Sequence, residues 1–451
     1  MAEDSHSDGL QHAQADDRHH RARNFLVRST LALFSTSVVT SGLGFIYWTA
    51  AARMFSASDV GEATTAIAAM SLIGPFTVLG FGTTLVARLP TMRSGRAELV
   101  ATAAAVCATV AVALAMACAM VLPPAFLGLP GIGHDVHTTA IFVGGVAAHS
   151  VGMMLDNALL SAIGGRLQLV RNTIHSVVKL ILLVAFALVL HWFGGLSIYT
   201  SWFIAGVVSI LVVGVELVRE FRIPLRRLLP RLSTLKGLHF HAAKHHLLNL
   251  SLTVPYYAMP IVANVILDSE QAGYNYATWS LAGFVFVLPM AMSMSLFASG
   301  SKDPGTVLRD FRFTLRASLA ACFAANLVLL PFGGVVLGIF GPAYAANGRQ
   351  LLTVLCLGAF GVVIRDHHIV IGRVTNRVGR EALMMTVLAA GEVTGAAIGA
   401  ARGGLLGLGL GWAVAIAVEV VVCAPLVWRA YRGELPSLSA TGDASAATAP
   451  H

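Results

Sequence analysis

Charge is what this chain has least of. Asp, Glu, Lys and Arg together make up 12% of its 451 residues, while 56% are hydrophobic and the mean hydropathy is +0.76. A soluble domain carries roughly a quarter charged residues, so this composition excludes an ordinary globular protein and predicts one embedded in a membrane. Cysteine is sparse as well. The five present (Cys107, Cys118, Cys322, Cys356, Cys423) all fall in apolar stretches without a pairing pattern, so no disulfide framework is predicted. Residues 1–24 are rich in His and Asp and have no apolar core of a cleaved signal, and the tail from Gly433 to His451 is equally plain. Both ends are expected to be disordered, with the first apolar stretch serving as an uncleaved start-transfer helix. There is no G-x-x-x-x-G-K-[ST] element, which argues against ATP hydrolysis by this chain. Nor does a HExxH pattern accompany His239, His241, His245 and His246, so no metal site and no cofactor are expected.

What the chain does have is twelve apolar stretches, each close to the roughly 20 residues that cross a hydrocarbon core. They run over 30–52, 64–86, 99–122, 138–163, 173–192, 198–218, 246–267, 276–298, 314–338, 350–371, 383–401 and 405–428. With the N-terminus in the cytoplasm, 26 of the 30 lysines and arginines lie in cytoplasmic loops or at span ends there, against Arg53, Arg349 and Arg402 outside and Lys179 within a span. The positive-inside rule therefore predicts a multi-pass protein of the cell inner (plasma) membrane with both termini cytoplasmic. The net charge of +8 then reads as topology and contact with anionic lipid, not nucleic-acid binding.

The chain also reads as if written twice. The loop after span 1, Ser56-Ala-Ser-Asp59-Val-Gly61, has a counterpart in Asp268-Ser-Glu270-Gln-Ala-Gly273 at an offset of 212, and Asp156 matches Asp366 at 210. The fold class expected is an all-α integral membrane protein of about 12 transmembrane helices in two parallel-related six-helix halves. The expected division is a disordered cytoplasmic segment 1–27, a first half 28–219, a basic cytoplasmic linker 220–245, a second half 246–430 and a disordered tail 431–451. Parallel repeats of this kind are one standard construction of a secondary transporter that alternates access between its halves.

The segment from Leu43 to Pro90 resembles the polysaccharide transporters, the lipid-linked oligosaccharide flippases of the multidrug/oligosaccharidyl-lipid/polysaccharide exporter superfamily. The residues that carry the likeness are Ala-Ala-Arg53-Met-Phe, Gly61, and Leu79-Gly-Phe-Gly82-Thr-Thr-Leu-Val-Ala-Arg88-Leu-Pro90. Leu155-Asp156-Asn, with Leu169-Val-Arg171-Asn172 and Lys179-Leu, is similar to the span 4 to span 5 hairpin of actinobacterial members. Glu62 stands where the pattern has Tyr after the glycine, although Tyr274 follows Gly273. The resemblance implies a protein that moves an isoprenoid-diphosphate-linked glycan between leaflets, with glycosyltransferases or a polymerase of the same pathway as partners.

A diphosphate headgroup calls for cations, and the candidates are Arg53, Arg88, Lys179 and Arg365. With the span 4–5 hairpin turning near Leu167, Asp156 and Lys179 fall at equal depth and are expected to form an ion pair, structural or gating. Glu392 and Glu419 lie within spans and are candidate coupling-ion sites. Tyr256 and Tyr257, between Pro255 and Pro260, are candidate sugar contacts. Two other classes compete. A proton- or sodium-coupled drug antiporter of the same superfamily would favour a cavity of carboxylates and aromatics. A membrane enzyme would need an outer platform, yet the longest outer loop, Pro123 to His137, carries one acid, Asp135, so catalysis is not expected.

Overall fold

The computed structural model describes residues 41–92, 94–163, 166–189, 194–220, 222–235, 243–300, 304–375 and 377–434. The expected disordered segment 1–27, His239, His241 and the tail beyond Glu434 lie outside the described residues, as do the side chains of His245 and His246. All regular structure among the described residues is helical.

Helix α1 covers 41–54, and α2 spans Ala57–Thr77, α3 Phe81–Arg88, α4 Arg96–Val121, α5 Pro124–Leu127, α6 Val136–Ile163, α7 Arg166–Val189 and α8 Gly195–Glu220. The second series is α9 Ala243–Ile266, α10 Ser269–Gly300, α11 Pro304–Leu337, α12 Pro342–Val374 and α13 Val378–Arg432. The expected spans fall on helices, the second across the α2–α3 break at 78–80, with the first and the fifth partly outside the described residues. Among the described residues seven helices are long and apolar enough to cross a membrane, and an eighth if the bent pair Ser269–Val287 and Pro289–Phe297 counts as one span. Helix α13, at 55 residues, would measure about 80 Å if straight, more than two bilayer cores. It is two spans in one run, broken at Gly403 (φ −143°, ψ 23°) and Gly404 (φ 60°, ψ −145°), the second a conformation that suits glycine alone. Helix α13 runs to Arg432, two residues into the segment 431–451 expected to be disordered.

Local sequence explains the helix ends. Ser56, expected in a loop, caps α2: its Oγ accepts from Asp59 N and Asp59 Oδ2 accepts from Ser56 N, both at 3.1 Å, a reciprocal capping box. At the start of α6 the Asp135 carboxyl accepts from the Thr138 hydroxyl at 2.6 Å and amide at 2.7 Å, which holds it below the usual carboxylate range. The basic linker is anchored by its main chain, Arg231 N donating to Thr102 Oγ1 at 2.9 Å.

In the first half α4 packs on α6, and α6 and α7 on α8; in the second, α11 packs on α12, and α12 and α9 on α13. The halves meet where α2 lies against α9 and α10. Because lipid is as apolar as the core, close approach through small residues drives such packing. Gly61 and Gly273, related by the repeat, face each other here: a methyl on Gly61 would overlap the Ser269 carbonyl oxygen, and one on Gly273 the Ala57 carbonyl oxygen. This contact lies at the arginine-poor end of the bundle, near the α1–α2 and α9–α10 loops.

Candidate functional site

Two of the helices in the first half carry polar stripes. His149, Gly152 and Asp156 are three and four residues apart on α6, and Arg171, His175 and Lys179 are each four apart on α7, so each set shares one face. The stripes meet around a cavity of about 340 Å³, closed by Met70 of α2 and Trp202 and Gly206 of α8. Arg171 holds Asp156 with both arms of its guanidinium, Nε to Oδ1 at 2.7 Å and Nη2 to Oδ2 at 2.6 Å, and Nη2 also donates to Asn172 Oδ1 at 2.9 Å. Gly152 makes room for this fork, because a methyl there would lie 2.9 Å from Arg171 Nη1.

The expected Asp156–Lys179 pair is therefore corrected to Asp156–Arg171. Helix α6 ends at Ile163 and α7 starts at Arg166, so the turn comes earlier than Leu167. Asp156 is then seven residues from the end of its helix, level with Arg171, five residues into the next, and Lys179 lies deeper. Lys179 packs instead on aromatic faces, its Nζ 3.8 Å from the Trp202 ring centroid and 4.8 Å from that of Tyr47. Those rings offset part of the cost of burying an ammonium that is 5% exposed. Tyr47 is fixed by its hydroxyl, which bonds Ser201 Oγ at 2.8 Å and donates to Ile198 O at 3.1 Å. His175 meets Trp202 edge-on, with centroids 5.5 Å apart.

The second half holds another buried charge group. Arg365 Nη1 donates to Glu392 Oε1 at 3.1 Å and to Glu419 Oε2 at 3.5 Å, and its Nε reaches Asp366 Oδ1 at 3.5 Å. Trp412 Nε1 donates to Glu392 Oε2 at 2.7 Å. Arg365 is thus occupied by carboxylates and corrected as a phosphate contact, and the two candidate coupling acids share it. Nearby, His368 Nε2 and Glu381 Oε2 pair at 2.9 Å across the α12–α13 hairpin. This tie mirrors Asp156–Arg171 with its polarity reversed, since the acid now stands on the second helix.

Of the other candidates, Arg88 is exposed in the last turn of α3 and away from the cavity wall. Tyr256 and Tyr257 lie edge-to-face on α9, 5.2 Å apart, with Tyr256 also edge-on to Trp279. Arg53 lies outside the cavity as well and spans the halves: Nε donates to Ile339 O at 2.8 Å and Nη2 to Gly338 O at 2.9 Å, just beyond α11. Replacing Arg53 by Ala removes two charge-assisted hydrogen bonds from an exposed position, so the arginine-poor end should open roughly three- to tenfold more often. Spin-label distances between α5 and α11 would show it, and an unchanged distribution would count against the clamp.

Sequence reasoning passed over His149 and His175, Tyr47 and Trp202, and took Arg171 as a loop arginine. The signal that could have found the histidines is their four-residue spacing with polar neighbours inside otherwise apolar helices.

At the level of sequence, neither a protein-family model nor a curated protein matches the chain. Its fold does have solved counterparts. It is similar to the inward-facing conformation of a multidrug resistance MATE family transporter of the MOP superfamily, with TM-score 0.70 at 13% identity over 91% of this chain and 100% of the other. It is also similar to a MOP superfamily transporter from Pyrococcus furiosus, described for the reverse polarity of its binding pocket, with TM-score 0.61 at 12% identity over 91% and 96%. The inward closed conformation of the lipid II flippase MurJ gives TM-score 0.61 at 11% identity over 90% of each chain. The chain has the fold of these membrane transporters.

Proposed function

We propose that this protein is a secondary transporter that carries an isoprenoid-diphosphate-linked oligosaccharide from the inner to the outer leaflet of the plasma membrane, for cell-surface polysaccharide assembly. The observation that carries this reading is the cation surplus of the first-half cavity. Arg171 and Lys179 both line it, while Asp156, already held by Arg171, is its one carboxylate among the described lining residues. A buried ammonium without a carboxylate partner favours an anionic ligand, and guanidinium and ammonium are the groups that recognise phosphate. At about 340 Å³ the cavity suits a diphosphate and its first sugar, with Trp202 as a stacking face. In this reading the rest of the headgroup lies between the halves, with Tyr256 and Tyr257 of α9 as its sugar contacts.

Alternating access supplies the movement. Arg53 and the Gly61–Gly273 contact close the arginine-poor end, which the positive-inside rule assigns to the outside. The same reading puts both termini in the cytoplasm and this conformer facing inward. The higher TM-score with an inward-facing relative (0.70) than with an outward-facing one (0.59) agrees with it. The fold alone does not choose a substrate, since the relatives include drug transporters and a lipid II flippase by name.

The test is translocation of a fluorescent isoprenoid-diphosphate oligosaccharide in proteoliposomes. Native protein should flip it, and Lys179→Met should slow flipping about tenfold, the equivalent of about 1.4 kcal/mol, with the melting temperature retained. Absence of flipping together with efflux of organic cations would replace this reading with the drug antiporter.

A further inference from the structure

The charge cluster of the second half lies outside the first-half cavity, and its charges do not balance. Three carboxylates, Asp366, Glu392 and Glu419, stand within reach of the single guanidinium of Arg365. Asp366, its side chain 17% exposed, is the one of the three with access to solvent. Setting it aside leaves Arg365 facing Glu392 and Glu419, which are 3% and 1% exposed. One guanidinium cannot neutralise two carboxylates, and an uncompensated charge at this depth is costly. A single proton removes the imbalance.

The hydrogen bonds indicate where that proton sits. Glu392 accepts from two donors, Arg365 Nη1 at 3.1 Å on Oε1 and the donor-only indole of Trp412 at 2.7 Å on Oε2, so both of its oxygens are engaged as acceptors. Glu419 has the longer 3.5 Å contact with Arg365 and a side-chain hydrogen bond with Glu392. We propose that Glu419 and Glu392 hold one exchangeable proton against Arg365, resting on Glu419, and that this pair is the site at which a proton gradient drives transport. The step is an acid dissociation. The Glu419 carboxyl gives its proton to water on one side of the membrane, Arg365 is left with two carboxylates, and a proton from the other side restores the pair.

The surroundings leave few other groups to titrate with it. The charged groups acting on Glu419 are Glu392 and Arg365, and those on Arg365 are Glu392, Asp366 and Glu419. Behind them Asp366 faces His367 and Arg373. His368 is engaged by Glu381, and Arg312 and Arg316 of α11 are engaged by Tyr431 at the far end of α13. From α10, Trp279 meets Trp412 edge-on at 5.1 Å, and from α9, Tyr256 stands behind Trp279. The ligand is a proton and not sodium because the guanidinium occupies the point between the carboxyls where a metal ion would sit. Among the described residues no group of His, Cys, Asp and Glu has metal-holding geometry.

The coupling role rests on the transporter reading, whereas the proton itself can be seen without any substrate. Infrared spectra of the full chain in nanodiscs at pH 7 should show one protonated-carboxyl carbonyl stretch that disappears in Glu419→Gln. It should disappear in Glu392→Gln as well, because the remaining acid then pairs with Arg365 as a carboxylate. Loss of no such band in either variant would overturn the proposal, as would its loss when sodium replaces choline at constant pH. In proteoliposomes a proton gradient should accelerate native flipping at least tenfold and leave Glu419→Gln unresponsive; a native rate indifferent to the gradient would remove the coupling role. Gradient-driven efflux of organic cations that fails in Glu419→Gln would uphold the proton site and overturn the glycan substrate alone.

Discussion

Asp156→Ala should destabilise the protein by about 3–5 kcal/mol, because it leaves a buried guanidinium without its carboxylate. Arg171 is 7% exposed and has both arms on Asp156, so its remaining side-chain partner would be Asn172 alone. The loss should appear as a marked fall in melting temperature in detergent. The double variant Asp156→Ala/Arg171→Met should recover much of it, since removing both charges is far less costly than removing one. A melting temperature unchanged in Asp156→Ala would mean that the pair contributes nothing to the α6–α7 hairpin. Lys179 gives a contrasting case within the same cavity: its methionine variant removes a cation from aromatic neighbours and strands no opposite charge, so it should lower ligand binding and spare the fold.

Gly61→Ala should force the halves apart at the arginine-poor end. The atom a new methyl would meet is the carbonyl oxygen of Ser269, part of the α10 main chain, so no side-chain rotation relieves the clash. The helices must separate, at about 1–3 kcal/mol for an overpacked contact. Gly273→Ala meets the Ala57 carbonyl in the same way from the other side. Since either change opens the same contact, the two should be clearly non-additive: once the first has separated α2 from α10, the second adds little. Melting temperatures of the two single variants and the double, with thiol labelling of cysteines introduced on α10 beside Gly273, would test this. Full additivity, with labelling as slow as in the native chain, would mean that the two glycines do not share a contact.

Much of the architecture was legible because membrane helices announce themselves by length and hydropathy. The twelve spans, the break at Gly403–Gly404 and the correspondence of Gly61 with Gly273 all follow from runs and offsets along one chain. That the two glycines touch was not legible, because a repeat offset says which positions are alike and nothing about which meet. The ion pairs failed for a related reason. Moving the α6–α7 turn by about three residues exchanges Arg171 for Lys179 as the partner of Asp156, and such boundaries are the least reliable part of a sequence reading. Arg365, Glu392 and Glu419 were each noticed separately. They are separated by 27 and 54 residues, and only the packing of α12 against both arms of α13 brings them to one point. His149 and His175 went unremarked because a single histidine in an apolar run attracts no attention until its four-residue neighbours are seen to be polar too.

The clamp between the halves has a consequence for how this family of shapes can change over time. Arg53 takes hold of Gly338 and Ile339 by their carbonyl oxygens, and every residue type supplies a carbonyl. The keyhole is cut in the main chain, so the tie does not depend on which side chain stands at 339, whereas it does depend on the guanidinium at position 53. Comparing related chains for residues that change together would pass over this tie, although it joins one half of the protein to the other.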